Sequence, residues 1–398
     1  MSAPAPHTPP LETPVQLRIT GWTLASLVLF VATAACSAEA TPTPAPVFDM
    51  TPAGDPARLR AGEVYRTLDA DWTRTPEAEA LIALAREEGA VVWSGYDQAQ
   101  GDAWCEGFTA EFGVACTGRG IGAGQLVTTL VTEAAAGAPV TDVVYLSMSQ
   151  MAQVLDRGLA APVDWGALGV EPGRVWSSNA AGAGAAGAGG DAVGVTQSQY
   201  AHFVNTDIID AEDVPRTVLD WLDPRWEGLI CAPDFLLRAG NGFMALYYDA
   251  DEMVAFHREL IDAQDVVVTA DCDPLIVSGE RPLTYMGYGL PDELLDTGYI
   301  EPFWGPGMGV NLFSHSVLAD APHPNAARLF TAWATSIEGS RLSWEAIGQG
   351  WAAFGHGPAE LVSGRFADLE LVYESPATFQ ERGERTRYFQ EQLFGPGR

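Results

Sequence analysis

The chain has 398 residues and a formal net charge of −31, and all 21 of its basic residues are arginine. So acidic a chain lacks the basic patches that bind phosphates, which excludes nucleic acid as a partner and disfavours polybasic contact with lipids. Hydrophobic residues make up 47% of the chain, and its length is enough for two domains or lobes.

The first informative segment is an apolar leader. Residues 22–36 read WTLASLVLFVATAAC and follow Arg18. About fifteen apolar residues are too few for a comfortable membrane span but are typical of a signal-peptide core. The small residues before Cys36 resemble the lipobox of bacterial lipoproteins. We therefore expect 1–36 to be a lipoprotein signal peptide with Cys36 lipidated, and an ordinary signal peptide is the alternative.

The order of the following elements predicts an α/β fold. Residues 37–75 are rich in Pro, Ala, Thr and Asp, which predicts a disordered tether. Thr75 and Gly89 mark the ends of a first helix, and a buried strand follows at 90–93. The next predicted elements are a helix over 102–113, a strand over 114–117, a helix over 124–137 and a strand over 142–146. Strands that alternate with helices predict a parallel sheet.

The middle of the chain contains a glycine-rich tract at 179–190. It matches G-x-G-x-x-G at Gly182, Gly184 and Gly187, but no strand precedes it, so we interpret it as a mobile surface loop and not as a dinucleotide site. The elements predicted after it are an extended segment over 196–205, an amphipathic helix and turn over 215–228, a strand over 229–231, a helix starting at Gly242, a helix over 252–264, a strand over 266–269, a turn over 278–280, and helices over 326–336 and 339–347.

Four cysteines remain after Cys36. They are Cys105, Cys116, Cys231 and Cys272. An even number in an exported chain favours disulfides, and the predicted elements favour the pairs 105–116 and 231–272. Zinc is the rival interpretation, but the sequence has no C-x-x-C spacing and its six histidines are scattered.

Three stretches together resemble the extracellular solute-binding proteins of ABC importers, of the ferric-iron-binding type. The first, at 77–163, contains EAEALIALAREEGAVVWSG, TEAAAGAPVTDVVYLS and LDRGLAAPV. The second is VPRTVLDWLDPRWEGLI at 214–230, and the third is ADAPHPNAARLFTAWATSIEGSRLSWEAIG at 319–348. The resemblance covers about residues 76–350. It implies a periplasmic-binding-protein-like α/β fold, in which two lobes joined by crossing hinge strands close around a ligand.

The resemblance also implies a domain division and partners. We expect lobe 1 to comprise 76–197 plus about 308–345, and lobe 2 to comprise 198–307 plus about 346–398. An ABC permease with its ATPase would receive the ligand. The protein would act outside the cytoplasm as a monomer, either attached to the membrane through its lipid anchor only or free in the periplasm.

Ligands of open α/β sheets lie beyond the carboxyl ends of strands and at helix N-termini, which selects candidate residues without any family knowledge. Each candidate has a structural alternative: a helix cap for Asp97, tight turning for the glycines, a surface ion pair for Arg238 and core packing for the tyrosines. The candidate ligand-binding residues are Tyr96, Asp97, Gly122, Gly124, Ser147, Tyr200, Arg238, Asn241, Tyr285 and Tyr288.

The choice of ligand depends on a departure from the family pattern. Family members that bind ferric iron use a histidine and a glutamate from the first lobe and adjacent tyrosines from the second. Here Asp97 stands at the histidine position and Ser147 at about the glutamate position, while Tyr285 and Tyr288 are two residues out of step. We therefore favour a small anionic or zwitterionic organic ligand, such as a phosphonate or a carboxylate. Ferric iron or an iron chelate is the alternative.

Other function classes have less support. The sequence contains no G-x-S-x-G and no H-E-x-x-H motif, so we expect no enzyme activity, no cofactor and no confident metal site. A sensor or adhesion lipoprotein that uses the same fold without transport is the further alternative.

Overall fold

The computed structural model describes residues 46–52, 68–177, 189–288, 292–356, 371–375 and 378–395. The predicted signal peptide, Cys36 and the glycine-rich match at 182–187 lie outside these residues. The helices and strands of the first half are α1 Pro76–Glu88, β1 Ala90–Gly95, α2 Gln98–Phe112, β2 Ala115–Gly120, α3 Ala123–Ala135, β3 Val143–Ser147, α4 Met148–Leu155, β4 Val163–Asp164, β5 Val175–Trp176, β6 Gly189–Gly190 and β7 Ala192–Asn205.

The second half continues the alternation of helices and strands. Its elements are β8 Ile230–Pro233, α5 Asp234–Tyr247, α6 Ala250–Ala263, β9 Val267–Thr269, α7 Asp273–Ser278, β10 Leu283–Tyr288, α8 Asp292–Leu295, β11 Ile300–Phe303, β12 Gly309–Val317, α9 Pro324–Ala334, α10 Ile337–Ile347, β13 Val372–Tyr373 and α11 Phe379–Phe394. Short 3₁₀ turns cover Pro172–Arg174, Leu219–Leu222, Pro224–Trp226 and Ala352–Phe354.

The main sheet runs in the order β2-β1-β3-β12-β7-β10-β8-β9. Strands β1, β2 and β3 are parallel to one another on one side, and β8, β9 and β10 are parallel on the other. The long strand β7 joins the two sides, because its first part pairs with β12 and its last part with β10 and β11. This arrangement is the predicted two-lobed α/β fold with crossing strands. We refer to the part built on β1–β3 as the first lobe and the part built on β8–β10 as the second lobe.

Each lobe has its own hydrophobic core. In the first, Trp93 packs edge-on against Trp104 with ring centroids 5.6 Å apart. In the second, Trp221 stacks on Phe303 at 5.9 Å. Burying large aromatic side chains supplies much of the stability of a domain, so the cores fix the strands whose ends form the interior surface between the lobes. The exact lobe boundaries given above stay a prediction.

Local signals placed the first helix correctly. The Thr75 hydroxyl accepts a hydrogen bond from the Ala78 N–H at 3.1 Å, Pro76 is the first helical residue, and Gly89 ends the helix with a φ of 76°. Only glycine adopts that left-handed conformation without steric cost. Both predicted disulfides are present, between Cys105 and Cys116 and between Cys231 and Cys272.

Residues 215–228 were predicted to form a short amphipathic helix followed by a turn, and the helix is wrong. Two 3₁₀ turns occupy this stretch, because the Asp220 carboxylate accepts the N–H groups of Arg216 and Thr217 and Pro224 starts a second turn. Side chains that bond to nearby backbone in this way compete with the α-helix. Trp221 and Trp226 are nevertheless buried, as core residues of the second lobe.

Parts of the predicted tether pack against the folded body. Phe48 meets Phe256 edge-on at 6.0 Å, and the Trp72 indole N–H donates to the Leu168 carbonyl at 2.8 Å. Leu68 is buried. The folded body was predicted to begin at residue 76. Apolar side chains of the preceding Pro- and Ala-rich stretch also pack against it, so the folded body includes residues before that boundary. Within the described ranges, no helix is long and apolar enough to cross a membrane.

Candidate ligand-binding cleft

A cavity of about 710 Å³ lies between the two lobes. It opens beyond the carboxyl ends of β1 and β3 and is closed from the other side by β7, β10 and the C-terminal helix α11. The lining residues are Tyr96, Asp97, Gln100, Ala123, Gly124, Tyr145, Ser147, Ser149, Gln150, Tyr200, Phe235, Ala239, Tyr288, Asn311, Phe313, Ile347, Gln349 and Arg382. We refer to this space as the cleft.

The structure brings six of the ten sequence-predicted ligand residues into the cleft. They are Tyr96, Asp97, Gly124, Ser147, Tyr200 and Tyr288. Gly122 lies at the N-cap of α3 but outside the lining. Neither Gly122 nor Gly124 has a left-handed φ, and an added Cβ would meet no atom within 4 Å at either position. The turn therefore does not require glycine, and the space beside Gly124 belongs to the cleft.

The sequence predicted that residues 238–242 precede a helix starting at Gly242 and supply bare backbone amides, and this prediction is wrong. These residues lie inside α5, which starts at Asp234, so their backbone amides belong to the helix and are not bare. The glycines serve close packing: a Cβ on Gly240 would lie 2.7 Å from the Met286 sulfur, and one on Gly242 would lie 2.2 Å from the Thr386 hydroxyl. Arg238 is part of α5, and its side chain lies outside the described residues. Asn241 is fully buried and outside the cleft lining.

Tyr285 lies in the core of the second lobe and not in the cleft. Its hydroxyl is 2.9 Å from Nε2 of His257, and its ring meets Trp221 edge-on at 4.8 Å. Burial raises the pKa of Tyr285 well above its ordinary value. Successive strand residues point to opposite faces, and a register shift interrupts β10 between Thr284 and Gly287. Tyr288 therefore reaches the cleft without Tyr285.

Neutral phenols form much of the first-lobe wall. The Tyr96 hydroxyl donates to Gln150 Oε1 and accepts the Ser147 N–H at 2.9 Å. The Tyr145 hydroxyl lies 2.6 Å from Thr196 Oγ1 and donates to Gln349 Oε1 at 3.0 Å. Burial raises the pKa of Tyr96 to about 12 and also raises that of Tyr145. These groups are therefore hydrogen-bonding surfaces at neutral pH.

Asp97 both caps a helix and lines the cleft. Its Oδ1 accepts the N–H of Gln100 at 3.1 Å, at the N-cap of α2. A carboxylate has about four acceptor sites, so the cap leaves acceptor capacity for a ligand. The two interpretations of Asp97 from the sequence are thus compatible.

Arg382 is the cleft cation that sequence reasoning missed. It comes from α11, and its Nε donates to Glu374 Oε1 at 2.8 Å. Glu374 also accepts the Leu312 N–H at 3.1 Å through Oε2. Burial raises the pKa of Glu374. Burial lowers the pKa of Arg382, but Glu374 together with the nearby Tyr200 and Tyr288 raises it above its ordinary value overall. No strand end or turn marks Arg382 in the sequence, since its position depends on how α11 packs.

Asn311 connects the aromatic residues of this wall. Its Nδ2 lies 3.4 Å from the hydroxyls of both Tyr200 and Tyr288, whose rings meet edge-on at 5.2 Å. Among the described lining side chains, Asp97 and Arg382 are the only charged groups. Across the described part of the chain, no cluster of three or more His, Cys, Asp or Glu side chains is placed to hold a metal.

The comparisons with known proteins support the fold. No protein-family model and no curated protein matches the chain. Among solved structures, it resembles iron-bound HitA from Pseudomonas aeruginosa, with 20% identity, a TM-score of 0.59, and coverage of 77% of this chain and 99% of that one. An ABC transporter substrate-binding protein from Bradyrhizobium japonicum USDA 110 has 15% identity and a TM-score of 0.59, covering 77% and 99%. The Atu4243-GABA receptor has 18% identity and a TM-score of 0.56, covering 76% and 97%.

These similarities define the class of fold. The chain has the two-lobed α/β fold of the substrate-binding proteins of ABC transporters. The resemblance inferred from the three sequence stretches is thereby confirmed at the level of the fold.

Proposed function

We propose that the protein is the solute-binding component of an ABC importer and that it captures a small anionic or zwitterionic organic ligand between its lobes. The observation that carries this proposal is the cleft, about 710 Å³ in volume, to which both lobes contribute polar and aromatic side chains. Volumes of roughly 300–1,000 Å³ are typical of small-molecule sites. The protein acts as a monomer without catalysis and delivers its ligand to a permease and ATPase.

The charged groups support an organic ligand with an anionic end. Arg382 offers a guanidinium whose Nε is bonded to Glu374, which leaves two further nitrogens for a carboxylate. Amide side chains from Gln100, Gln150 and Gln349 add donors and acceptors that can orient a polar ligand. The GABA receptor among the similar structures has such a ligand in its name.

A glycine-to-phenylalanine pair tests whether the cleft binds a solute. Gly124 and Gly383 are both helical glycines, and an added Cβ would meet nothing within 4 Å at either position. Only Gly124 is part of the cleft lining. We expect protein purified from its host to carry a non-covalent ligand in native mass spectrometry. Gly124→Phe should lose it and Gly383→Phe should retain it.

Three results would contradict this proposal. They are a wild-type protein that carries no ligand and binds none from a metabolite mixture, a ligand that survives in Gly124→Phe, and the release of a chemically altered product. Circular dichroism spectra of both variants identify a loss of binding that is caused by misfolding.

Ferric iron or an iron chelate is the second candidate. The cleft gathers four phenols, from Tyr96, Tyr145, Tyr200 and Tyr288, and iron-bound HitA is among the similar structures. A hard cation prefers several anionic oxygens. Here Asp97 is the one carboxylate among the described lining residues, and the Arg382 cation repels a metal ion. The charges therefore favour the organic ligand.

We also propose that Cys36 is lipidated and anchors the protein outside the cytoplasm. The support is the apolar run that ends at this cysteine. In cells that express the chain, labelled palmitate should enter the wild-type protein but not Cys36→Ala, while Cys36→Ala remains exported. Equal labelling of the two proteins would exclude the anchor. A permease and ATPase encoded beside the chain would favour transport over a sensor or adhesion function.

A further inference from the structure

The cleft has two poles of opposite charge, and we infer that its ligand is a zwitterion with an amine at one end and a carboxylate at the other. The amine lies at Asp97 and the carboxylate at Arg382. This inference rests on the proposed function and narrows it from anionic or zwitterionic ligands to one class.

The negative pole is built on the end of β1. Asp97 follows Tyr96 there, and its charge is close enough to Tyr145 to help raise the pKa of that phenol, behind the larger contribution of burial. The Tyr96 hydroxyl already donates its hydrogen bond to Gln150, so it is not a donor for Asp97. Asp97 retains acceptor capacity beyond its helix cap. An ammonium group supplies the N–H donors and the positive charge that this pole lacks.

The positive pole is built on α11 and β10. Burial raises the pKa of Tyr200, and the nearby Arg382 guanidinium opposes that rise, so the arginine lies beside the tyrosine wall of the second lobe. Arg382 also faces Glu374, which binds its Nε at 2.8 Å. A carboxylate ligand would contact the remaining guanidinium nitrogens, next to the Tyr200 and Tyr288 hydroxyls.

Charge balance decides between the ligand classes. Asp97, Glu374 and Arg382 together carry one net negative charge when all three are ionised. A dianion such as a phosphonate would face both carboxylates with one guanidinium to offset them. A simple monocarboxylate would leave Asp97 without a positive charge from the ligand, and a simple amine would offer no acceptor to the guanidinium nitrogens of Arg382 beyond the Nε that Glu374 binds. A zwitterion gives each pole an opposite charge, which is the complementarity that recognition requires.

The aromatic part of the cleft lining suits an aliphatic chain. Tyr145 stacks on Phe313 with ring centroids 5.3 Å apart, and Tyr96 meets Phe313 edge-on at 6.0 Å. Phe235 lies at the cleft with 63% of its surface exposed. Aromatic faces bury methylene groups and attract ammonium groups. The preferred ligand is therefore an amino acid whose two charges are separated by an apolar chain.

Four probes that differ in one group each test the assignment by isothermal titration of the full mature protein. They are 4-aminobutyrate, pentanoate with a methyl group in place of the ammonium, 4-aminobutanamide with a neutral amide in place of the carboxylate, and 3-aminopropylphosphonate. Each charge-assisted contact contributes about 10- to 100-fold in affinity. We expect 4-aminobutyrate to bind at least about 10-fold more tightly than each of the other three.

Two variants assign the poles. Asp97→Asn keeps the helix cap, since Asn caps as well as Asp, and should weaken 4-aminobutyrate by about 10- to 100-fold without changing pentanoate. Arg382→Lys keeps a positive charge beside Glu374 but loses the guanidinium fork. It should lower the affinity for 4-aminobutyrate and for pentanoate without changing the affinity for 4-aminobutanamide. Arg385→Gln, on the exposed side of the same helix, is the matched control and should change none of the affinities.

Equal affinity for 4-aminobutyrate and pentanoate would overturn the inference. So would tighter binding of the phosphonate, unchanged binding of 4-aminobutyrate by Asp97→Asn, or binding of none of the four probes. The proposed function fails separately, when wild type carries no ligand or when Gly124→Phe retains it. If wild type carries a ligand that is not a zwitterion and Gly124→Phe lacks it, the proposed function stands and the zwitterion inference is wrong.

Discussion

Glu374→Gln is expected to lower the free energy of unfolding by about 3–5 kcal/mol, because it leaves a buried guanidinium without its counter-charge. Glu374 is fully buried and Arg382 nearly so, and their Nε–Oε1 distance is 2.8 Å. Glutamine has nearly the same shape, and its one carbonyl oxygen can still accept the Leu312 N–H, so the loss reports the charged hydrogen bond with Arg382 and not the packing. Urea unfolding at pH 7.5 measures it.

A second substitution distinguishes this explanation from a general loss of fit. Replacing both members, as Glu374→Gln with Arg382→Met, removes the orphaned charge and should recover most of the lost stability, because apolar replacements of buried pairs are often neutral. Glu381→Gln breaks the half-buried pair with Arg385 near the protein surface and should cost less than about 1 kcal/mol. A double variant as unstable as Glu374→Gln alone would show that the ion pair is not the cause.

The cleft position of Arg382 could not be predicted from the sequence, whereas three other lining residues could. Tyr96, Asp97 and Ser147 could be predicted because each lies at or just after the carboxyl end of a buried strand, and strand ends of one parallel sheet meet at one edge. Arg382 lies within a helix, and it reaches the cleft only because α11 packs against α5 and Glu374 holds its Nε. That placement depends on contacts between distant parts of the chain, which no local pattern contains.

Glycine was the most ambiguous signal. At Gly89 the residue ends a helix, as predicted, since its φ is 76°. Gly240 was predicted to precede a helix and Gly242 to start it, but both residues lie inside α5, where they let Met286 and Thr386 approach the helix. A glycine that permits an unusual φ and one that permits close packing are identical in a sequence. The sequence-based choice of Arg238 rested on this ambiguous signal, and its role as a ligand contact stays a prediction.

Three buried histidines make the fold sensitive to acid. The Trp93 indole N–H donates to Nε2 of His315 at 3.0 Å, and Nδ1 of His202 accepts the Met286 N–H at 3.2 Å. His257 lies between the Met253 carbonyl and the Tyr285 hydroxyl. Burial lowers the pKa of His202 and of His315 to about 3 and that of His257 to about 4.

The direction of the pH effect follows from these values. In the unfolded chain each histidine titrates near 6.5, whereas the folded protein holds all three neutral down to a lower pH. The unfolded state therefore binds more protons, and stability falls as pH falls below about 6.5 towards the folded pKa values. The stabilisation is fully present above about 6.5. Between pH 7.5 and 5.5 the three together should cost about 4 kcal/mol of unfolding free energy.

Urea unfolding at pH 7.5, 6.5 and 5.5 measures this loss above the range in which most carboxylates titrate. Near pH 5.5 the slope of unfolding free energy against pH should correspond to an uptake of about three protons. His202→Phe gives up the Met286 hydrogen bond and so lowers stability at every pH, but it should reduce the proton uptake by one. The proton count is therefore the readout. An uptake of one proton or fewer in the wild-type protein would mean that these imidazoles become charged inside the fold. Burial would then not lower their pKa values as described.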